Sequence, residues 1–145
     1  MPAPDSESLA VARRYYRLFN ERRLDEAGQL VHPEAEFHYV ATHQRLRGRA
    51  GYRALVAMWL NAFEDAVVEV VALRLLDEAT VEADLIGRGT QTGDLVLGEM
   101  QTLPPTGRGA EMPFREVLHI RHGLITSVRL DFDLREMERR LRPEG

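Results

Sequence analysis

Glu116 is the acidic residue best placed in this sequence to move a proton. It lies in a stretch of alternating residues that predicts a strand, with Glu116 on the same face as its apolar neighbours Phe114, Leu118 and Ile120. Burial among such side chains disfavours the charged carboxylate and raises its pKa, so this group could serve as an acid or a base. The alternative is a structural ion pair with a residue of a neighbouring strand, such as Arg129 or Arg88.

Tyr15 and Tyr39 are candidates for donating hydrogen bonds to an oxygen atom of a ligand. The alternative is that both are core aromatics whose hydroxyls bind backbone groups. Trp59 lies on the apolar face of a predicted helix, where it could stack against a flat ligand or simply fill the core.

Asp131 and His119 form a second possible acid–base pair. Alternation places both on the face opposite the apolar stripe of Val128, Leu130 and Phe132, which favours a solvated role or a role in a dimer interface. The five histidines lack the spacing of a metal site, so we predict no bound metal. The arginines at 45, 47, 49 and 53 could guard a pocket mouth, although a solvated loop is the simpler interpretation.

Composition narrows the possible chemistry. The 145 residues contain no cysteine, and all 19 basic residues are arginine. A thiol nucleophile, a Schiff-base lysine and a phosphate-loop lysine are therefore excluded. The net charge of −4 argues against nucleic-acid binding, and residues 1–7 do not resemble a signal peptide. With no apolar run of membrane-spanning length, we expect a cytoplasmic protein that does not enter a membrane.

Hydrophobic periodicity predicts one α+β domain over residues 1–145. Helical spacing covers 6–20, a short segment from Asp25 to Val31, and 50–63; alternation predicts strands at 35–42, 67–76, 79–90, 111–121 and 124–132. Residues 92–109 are predicted to be a long connection, and Asp133 to Glu136 a capping box that opens a final helix. Three N-terminal helices would pack on one face of a curved antiparallel sheet. Apolar residues on the other face suggest that a second copy covers it in a homodimer.

Four motifs resemble those of the SnoaL-like polyketide cyclase and ester cyclase branch of the nuclear transport factor 2-like superfamily. They are Gly87-Arg88-Gly89-Thr90-Gln91-Thr92-Gly93, Pro104-Pro105-Thr106-Gly107-Arg108, His122-Gly123-Leu124-Ile125 and Phe132-Asp133-Leu134. The resemblance extends over nearly the whole chain. It implies a cone-shaped fold with a closed pocket between helices and sheet, a small hydrophobic ligand and no cofactor.

The sequence departs from this resemblance at positions that bear on chemistry. Polyketide cyclases and the related limonene epoxide hydrolases carry an aspartate where this chain has Leu130, so Asp131 could take that role only if the strand register shifted. The histidine of the glycine-rich motif is replaced by Gln91. Compared with ketosteroid isomerases, the position of the general base is Tyr39, whereas Tyr15 and Glu116 match the hydrogen-bonding groups in kind.

We therefore predict a protein that binds a hydrophobic, oxygenated small molecule, similar to a polyketide or terpenoid, and acts on it by acid–base chemistry. Glu116, Tyr39 and Asp131 are the predicted catalytic residues. The predicted pocket residues are Tyr15, Phe37, Trp59, Phe63, Leu118, Leu130 and Phe132. One alternative is a non-catalytic or structural dimeric member of the family. The other is an epoxide hydrolase, in which Asp84 and Asp131 would bracket an arginine.

Overall fold

A computed structural model describes residues 6–99 and 101–141. Residues 1–5, on which part of the signal-peptide prediction depends, lie outside the described residues. The elements in chain order are α1 (Ser6–Asn20), α2 (Leu24–Gln29), β1 (Val31–Tyr39), β2 (Gln44–Arg47), α3 (Gly48–Ala62), β3 (Val67–Asp77), β4 (Thr80–Thr90), β5 (Leu95–Leu97), β6 (Gln101–Leu103), β7 (Gly109–Arg121), β8 (Leu124–Asp131) and α4 (Leu134–Leu141). The predicted α+β class and helix–sheet segregation are confirmed.

The helices begin and end where local chemistry requires. Helix α3 starts at Gly48, which has a φ of +71° and lies so close to Pro33 that an added Cβ would be 2.5 Å from the proline carbonyl oxygen. Only glycine fits such a position without strain. Helix α4 is capped by Asp133, whose carboxylate accepts a hydrogen bond from the Glu136 amide at 3.0 Å. The reciprocal half of the predicted capping box is not formed, because Glu136 pairs with arginines of its own helix.

Six strands form the main sheet in the order β2-β1-β8-β7-β4-β3. The sheet is mixed, because β1 runs parallel to β8, so the prediction of a fully antiparallel sheet is wrong at that one pairing. A parallel pairing joins segments far apart in sequence and leaves no turn signal to read. Three short strands also lie where loops were predicted: β2, and the separate β5–β6 hairpin within residues 92–109.

The two faces of the sheet differ in character. The inner face packs against α1 and α3 and carries the buried core. The outer face carries a network of ion pairs across β3, β4 and β7, in which Arg74 contacts Asp84 at 2.8 Å and Arg115 contacts the same carboxylate at 2.9 Å. The prediction of large apolar residues on both faces is therefore wrong for much of the outer face, because charged side chains occupy alternate positions there.

None of the helices in the described part of the chain has the length and apolar composition needed to cross a membrane.

Candidate active site

A row of four side chains crosses the inner face of the sheet and defines the site. Residues in register place Tyr39 of β1 beside Leu130 of β8, Leu130 beside Glu116 of β7, and Glu116 beside Ala83 of β4. Paired residues of neighbouring strands point to the same face of a sheet. Glu116 consequently lies between two hydrocarbon side chains, with Tyr39 one strand further on.

Glu116 is buried, with 8% of its surface exposed. Its Oε1 atom accepts a hydrogen bond of 2.7 Å from the Tyr16 hydroxyl, a contact between residues 100 positions apart. Desolvation raises the pKa of the Glu116 carboxyl to about 7, while the Tyr16 hydrogen bond opposes that rise. At neutral pH the group is thus divided between acid and carboxylate, which suits it to take up and return a proton. The predicted alternative of an arginine partner is not formed among the described residues, because the Glu116 carboxyl accepts its hydrogen bond from Tyr16.

Three further tyrosines surround this carboxyl. Burial, and secondarily the nearby Glu116 charge, raises the pKa of Tyr15, Tyr39 and Tyr52 alike, so each remains a neutral hydroxyl. The Tyr39 hydroxyl accepts a hydrogen bond of 3.1 Å from Trp59 Nε1, which leaves its own proton available. The rings of Tyr15 and Tyr52 pack with centroids 5.6 Å apart. The site therefore combines one carboxyl with several weak hydrogen-bond donors.

A cavity of about 150 Å³ lies above this row, between the sheet and α1, α3 and α4. Gly87 on β4 makes room for its aromatic wall, because a Cβ there would approach the Phe114 ring to 2.8 Å. The cavity extends to surface residues, including Val67, which is 41% exposed, and Arg140. The pocket is therefore open at one end, in contrast to the closed pocket expected from the sequence.

Most of the predicted site residues meet at this cavity. Its lining includes Glu116, Tyr39, Tyr15, Phe37, Trp59, Phe63 and Leu130. Two predicted pocket residues lie behind the lining. Leu118 pairs with Val128 in the next row of the sheet and is fully buried core. Phe132 packs its ring against Phe114, with centroids 5.2 Å apart, and so supports the wall rather than forming it.

Asp131 does not reach the cavity. It is exposed on the outer face, in register with Arg115, because Leu130 takes the inward position of the alternation. Asp131 is in register with Arg115, and His119 lies four residues further along β7. The Nδ1 atom of His119 is 3.1 Å from the Thr80 hydroxyl, so the predicted acid–base pair with Asp131 is not formed. Asp84 also lies on the outer face, paired with arginines. An aspartate–arginine–aspartate row thus exists, but on the wrong side of the sheet for an epoxide hydrolase pocket.

Gln91 has a structural position away from the cavity. It is fully buried, and its Nε2 atom donates to the carbonyl oxygens of Leu103 at 2.9 Å and Gly93 at 3.2 Å, while its Oε1 atom accepts from Thr106 at 3.3 Å. These contacts join the β5–β6 hairpin to the loop that follows it. Gln91 therefore stabilises the conformation of this loop and takes no part in the chemistry of the cavity.

Sequence reasoning missed two residues of the site, Tyr16 and Tyr52. Both lie on the apolar faces of predicted helices, where the sequence alone favours a core role, and the sequence instead indicates Tyr15 as the hydrogen-bond donor. Neighbouring residues of a helix point about 100° apart, so only the packing angle of α1 decides which of the two tyrosines meets Glu116. The presence of two adjacent tyrosines in an apolar stripe was the available signal.

Three of the four arginines predicted near a pocket mouth make structural contacts. Arg49 donates to the carbonyl oxygens of Gly28 and Val31, Arg47 pairs with Glu36, and Arg53 pairs with Asp25. Within residues 6–99 and 101–141, no group of three histidine, aspartate or glutamate side chains could hold a metal ion.

This arrangement, a helix-covered sheet with a carboxyl at the base of an aromatic cavity, agrees with comparison to known families. The model of the SnoaL-like domain family matches residues 12–128. The chain therefore belongs to the SnoaL-like domain family, within the nuclear transport factor 2-like superfamily, as the motifs predicted. No curated protein matches the sequence significantly.

Solved structures share the fold at low sequence identity. A candidate SnoaL-like polyketide cyclase from Jannaschia sp. CCS1 is 15% identical with a TM-score of 0.85, covering 100% of this chain and 98% of that one. A candidate polyketide cyclase from Xanthomonas campestris pv. campestris is 18% identical with a TM-score of 0.82, covering 96% and 99%. A protein of ketosteroid isomerase-like fold from Catenulispora acidiphila, solved in complex with trimethylamine, is 14% identical with a TM-score of 0.74, covering 90% and 91%. At these identities the similarity shows the fold alone, together with the fact that one such fold binds a small molecule.

Proposed function

We propose that this protein binds a hydrophobic, oxygenated small molecule, of polyketide or terpenoid type, and catalyses a proton transfer on it. The observation that carries the proposal is Glu116, a buried carboxyl with a pKa of about 7 that lines an aromatic cavity. A base near neutral pKa can remove a proton from carbon next to a carbonyl group and return it elsewhere, as an isomerase or cyclase requires.

The tyrosines have complementary roles in this proposal. As the proton leaves carbon, negative charge develops on the substrate oxygen, where hydrogen bonds from Tyr15 and Tyr39 would stabilise it. Tyr16 acts as a positioning residue, because its hydrogen bond fixes the orientation of the Glu116 carboxylate. The proton accepted by Glu116 is then available for return to the substrate, so the step is balanced with this chain's residues alone.

The test is the exchange of carbon-bound hydrogen for solvent deuterium, followed by NMR in deuterium oxide with ketones such as 2-tetralone and cyclohexanone. We expect the protein to accelerate exchange next to the carbonyl, and Glu116→Gln to reduce that acceleration by at least about 100-fold, the usual size of general-base catalysis. Glu36→Gln is the matched control, because Glu36 is a strand glutamate of the same sheet that is exposed and points away from the cavity. Equal exchange rates in Glu116→Gln and in the unsubstituted protein would refute the assignment.

A second candidate is binding without turnover. It is favoured by Leu130, which gives the cavity a hydrocarbon where relatives of the cyclase type carry an aspartate. In that case ketones bind, but their exchange rates stay at the uncatalysed level in every variant.

A further inference from the structure

The size of the cavity restricts the part of a ligand that it can enclose. Its volume is about 150 Å³. A protein cavity of about this volume encloses one benzene ring, whereas sites for drug-sized ligands have roughly 300–1,000 Å³. The enclosed part of the ligand is therefore the size of one six-membered ring, well short of a fused multi-ring skeleton.

Two tyrosine hydroxyls at the cavity, those of Tyr52 and Tyr39, have a proton that no acceptor among the described residues takes up. The Tyr52 hydroxyl is buried and has no hydrogen-bond partner among the described residues. The Tyr15 hydroxyl is not the donor to Glu116, because that donor is Tyr16, and the proton of Tyr39 is not used by its contact with Trp59. An unpaired buried hydroxyl is destabilising, so an acceptor oxygen brought between these tyrosines would offset part of that cost.

The charges around the cavity disfavour an anionic ligand. Glu116 faces Tyr15 and Tyr16 from α1, Tyr39 from β1 and Tyr52 from α3, all of them weak acids. The arginines of the lining are committed elsewhere. Arg88 pairs with Glu69 at 2.6 Å and with Glu111 at 2.5 Å, and Arg140 pairs with Glu136 at 2.9 Å. An anion in the cavity would meet a carboxyl without an uncommitted cation to balance it.

We infer that the cavity binds a neutral, single-ring carbonyl compound, whose oxygen accepts a hydrogen bond from Tyr52 in addition to those that the proposed function assigns to Tyr15 and Tyr39. This inference deepens the proposed function, because it names the ligand class of the same cavity and gives Tyr52 a role that the sequence did not indicate. It concerns binding alone and holds whether or not a proton is transferred.

Tyr52→Phe tests the role of the hydroxyl with two ring compounds of matched shape, cyclohexanone and methylenecyclohexane. We expect the substitution to raise the Kd of cyclohexanone about 5- to 10-fold, the effect of one hydrogen bond, and to leave the Kd of methylenecyclohexane unchanged. The melting temperature should stay the same or rise, because the variant loses an unpaired buried hydroxyl. Equal weakening of both compounds would mean that Tyr52 only shapes the wall, and no weakening of either would mean that its hydroxyl does not contact the ligand; both results overturn the assignment.

Charge and size are tested with three further probes, measured by NMR titration of the intact protein. Cyclohexylammonium, cyclohexanecarboxylate and the bulkier 2-adamantanone should each bind at least tenfold more weakly than cyclohexanone. Tighter binding of cyclohexylammonium would show a cation site, and tighter binding of 2-adamantanone a larger cavity; either result overturns the inference. Glu116→Gln should still bind cyclohexanone. Binding of cyclohexanone without catalysed exchange would refute the proposed function and support the inferred ligand class. Exchange of 2-tetralone without binding of cyclohexanone would support the proposed function and refute the ligand class.

Discussion

At the scale of single residues, the chemistry of this protein depends on one carboxyl held in an environment that suits its uncharged form. Leu130 and Ala83 flank Glu116 in the sheet, and Tyr16 supplies its hydrogen bond. The hydrocarbon neighbours raise the pKa, and the hydroxyl keeps it from rising further. Desolvation and the Tyr16 hydrogen bond thus shift the pKa of Glu116 in opposite directions, and substitutions can separate the two effects.

The first prediction concerns stability and pH. Glu116 titrates near 4.5 when the chain is unfolded and near 7 when it is folded. Between pH 4.5 and pH 7 the folded protein keeps this proton and the unfolded chain loses it. The free energy of unfolding therefore falls as pH rises through this range, by about 3 kcal/mol in total. We expect Glu116→Gln to abolish this loss. The stability of the variant relative to the unsubstituted protein, measured by urea unfolding, should therefore increase from pH 5 to pH 8. Glu36→Gln, an exposed carboxyl, should show no such gain. Parallel pH profiles for the unsubstituted protein and Glu116→Gln would contradict the prediction.

The second prediction separates two adjacent tyrosines. Tyr16→Phe removes the donor that stabilises the Glu116 carboxylate, so we expect the pKa of Glu116 to rise by about one further pH unit. Titration of the glutamate carboxyl carbon by NMR measures it directly. Tyr15→Phe is the control, since the hydrogen bond to Glu116 comes from Tyr16 and Tyr15 has only a charge interaction with that carboxyl, and it should leave the pKa of Glu116 in place. A larger effect from Tyr15→Phe would mean that the two roles are reversed.

At the scale of elements, the strands and helices that could be predicted are those with a long local pattern. The strands β3, β4, β7 and β8 each span eight or more residues, and alternation locates them within a few positions. The hairpin β5–β6 has only three residues in each strand, too few for a period to show. It is held by the contacts of Gln91 with the surrounding loop, and such contacts cannot be read from local sequence.

The residues of the candidate site, too, could be predicted only where a local sequence pattern indicates them. Glu116 could be placed because its strand alternates strictly, and alternation also assigned Leu130 to the inner face. Asp131 would have needed a shift of one residue, which exchanges the two faces of a strand, and the register with β7 does not have that shift. The choice between Tyr15 and Tyr16 depends on how α1 rotates against the sheet, and a helical period leaves that angle open.

The third prediction tests the role of Gln91 in that loop. Gln91→Ala leaves the backbone carbonyls of Leu103, in β6, and of Gly93, before β5, without their buried donor, which should cost about 2–3 kcal/mol in stability. Hydrogen exchange should accelerate in residues 92–108 while β4 and β7 stay protected. Thr92→Ala, at an exposed neighbouring position, serves as control and should change neither. If cyclohexanone binding were lost in Gln91→Ala while exchange in the loop stayed slow, a role in the cavity would replace the structural one.

At the scale of the whole molecule, the outer face of the sheet is the surface through which two copies of the chain would form a dimer. Its ion pairs are half-exposed to exposed, so each contributes little to stability. Val117 lies half-buried on this face of β7, between the exposed side chains of Arg115 and His119. A charged and apolar surface of this kind is compatible with the pairing of two copies through matched charges.

The fourth prediction is that the protein is a homodimer through this face. Sedimentation velocity should give the mass of a dimer for the unsubstituted protein and that of a monomer for Val117→Arg. Val96→Arg is the control, because Val96 is exposed on the separate β5–β6 hairpin, and it should leave the dimer unchanged. A monomer in the unsubstituted protein, or a dimer in Val117→Arg, would exclude this interface.

The contact between Trp59 and Tyr39 has a practical consequence for all of these measurements. Trp59 is the single tryptophan of the chain, and it lies in the cavity wall with its indole N–H bound to the tyrosine hydroxyl. A ketone that enters the cavity changes the polarity around the indole and can quench its emission, whereas unfolding exposes it to water. Intrinsic fluorescence can therefore report occupancy of the cavity and integrity of the fold from one native chromophore, without a label or a coupled assay.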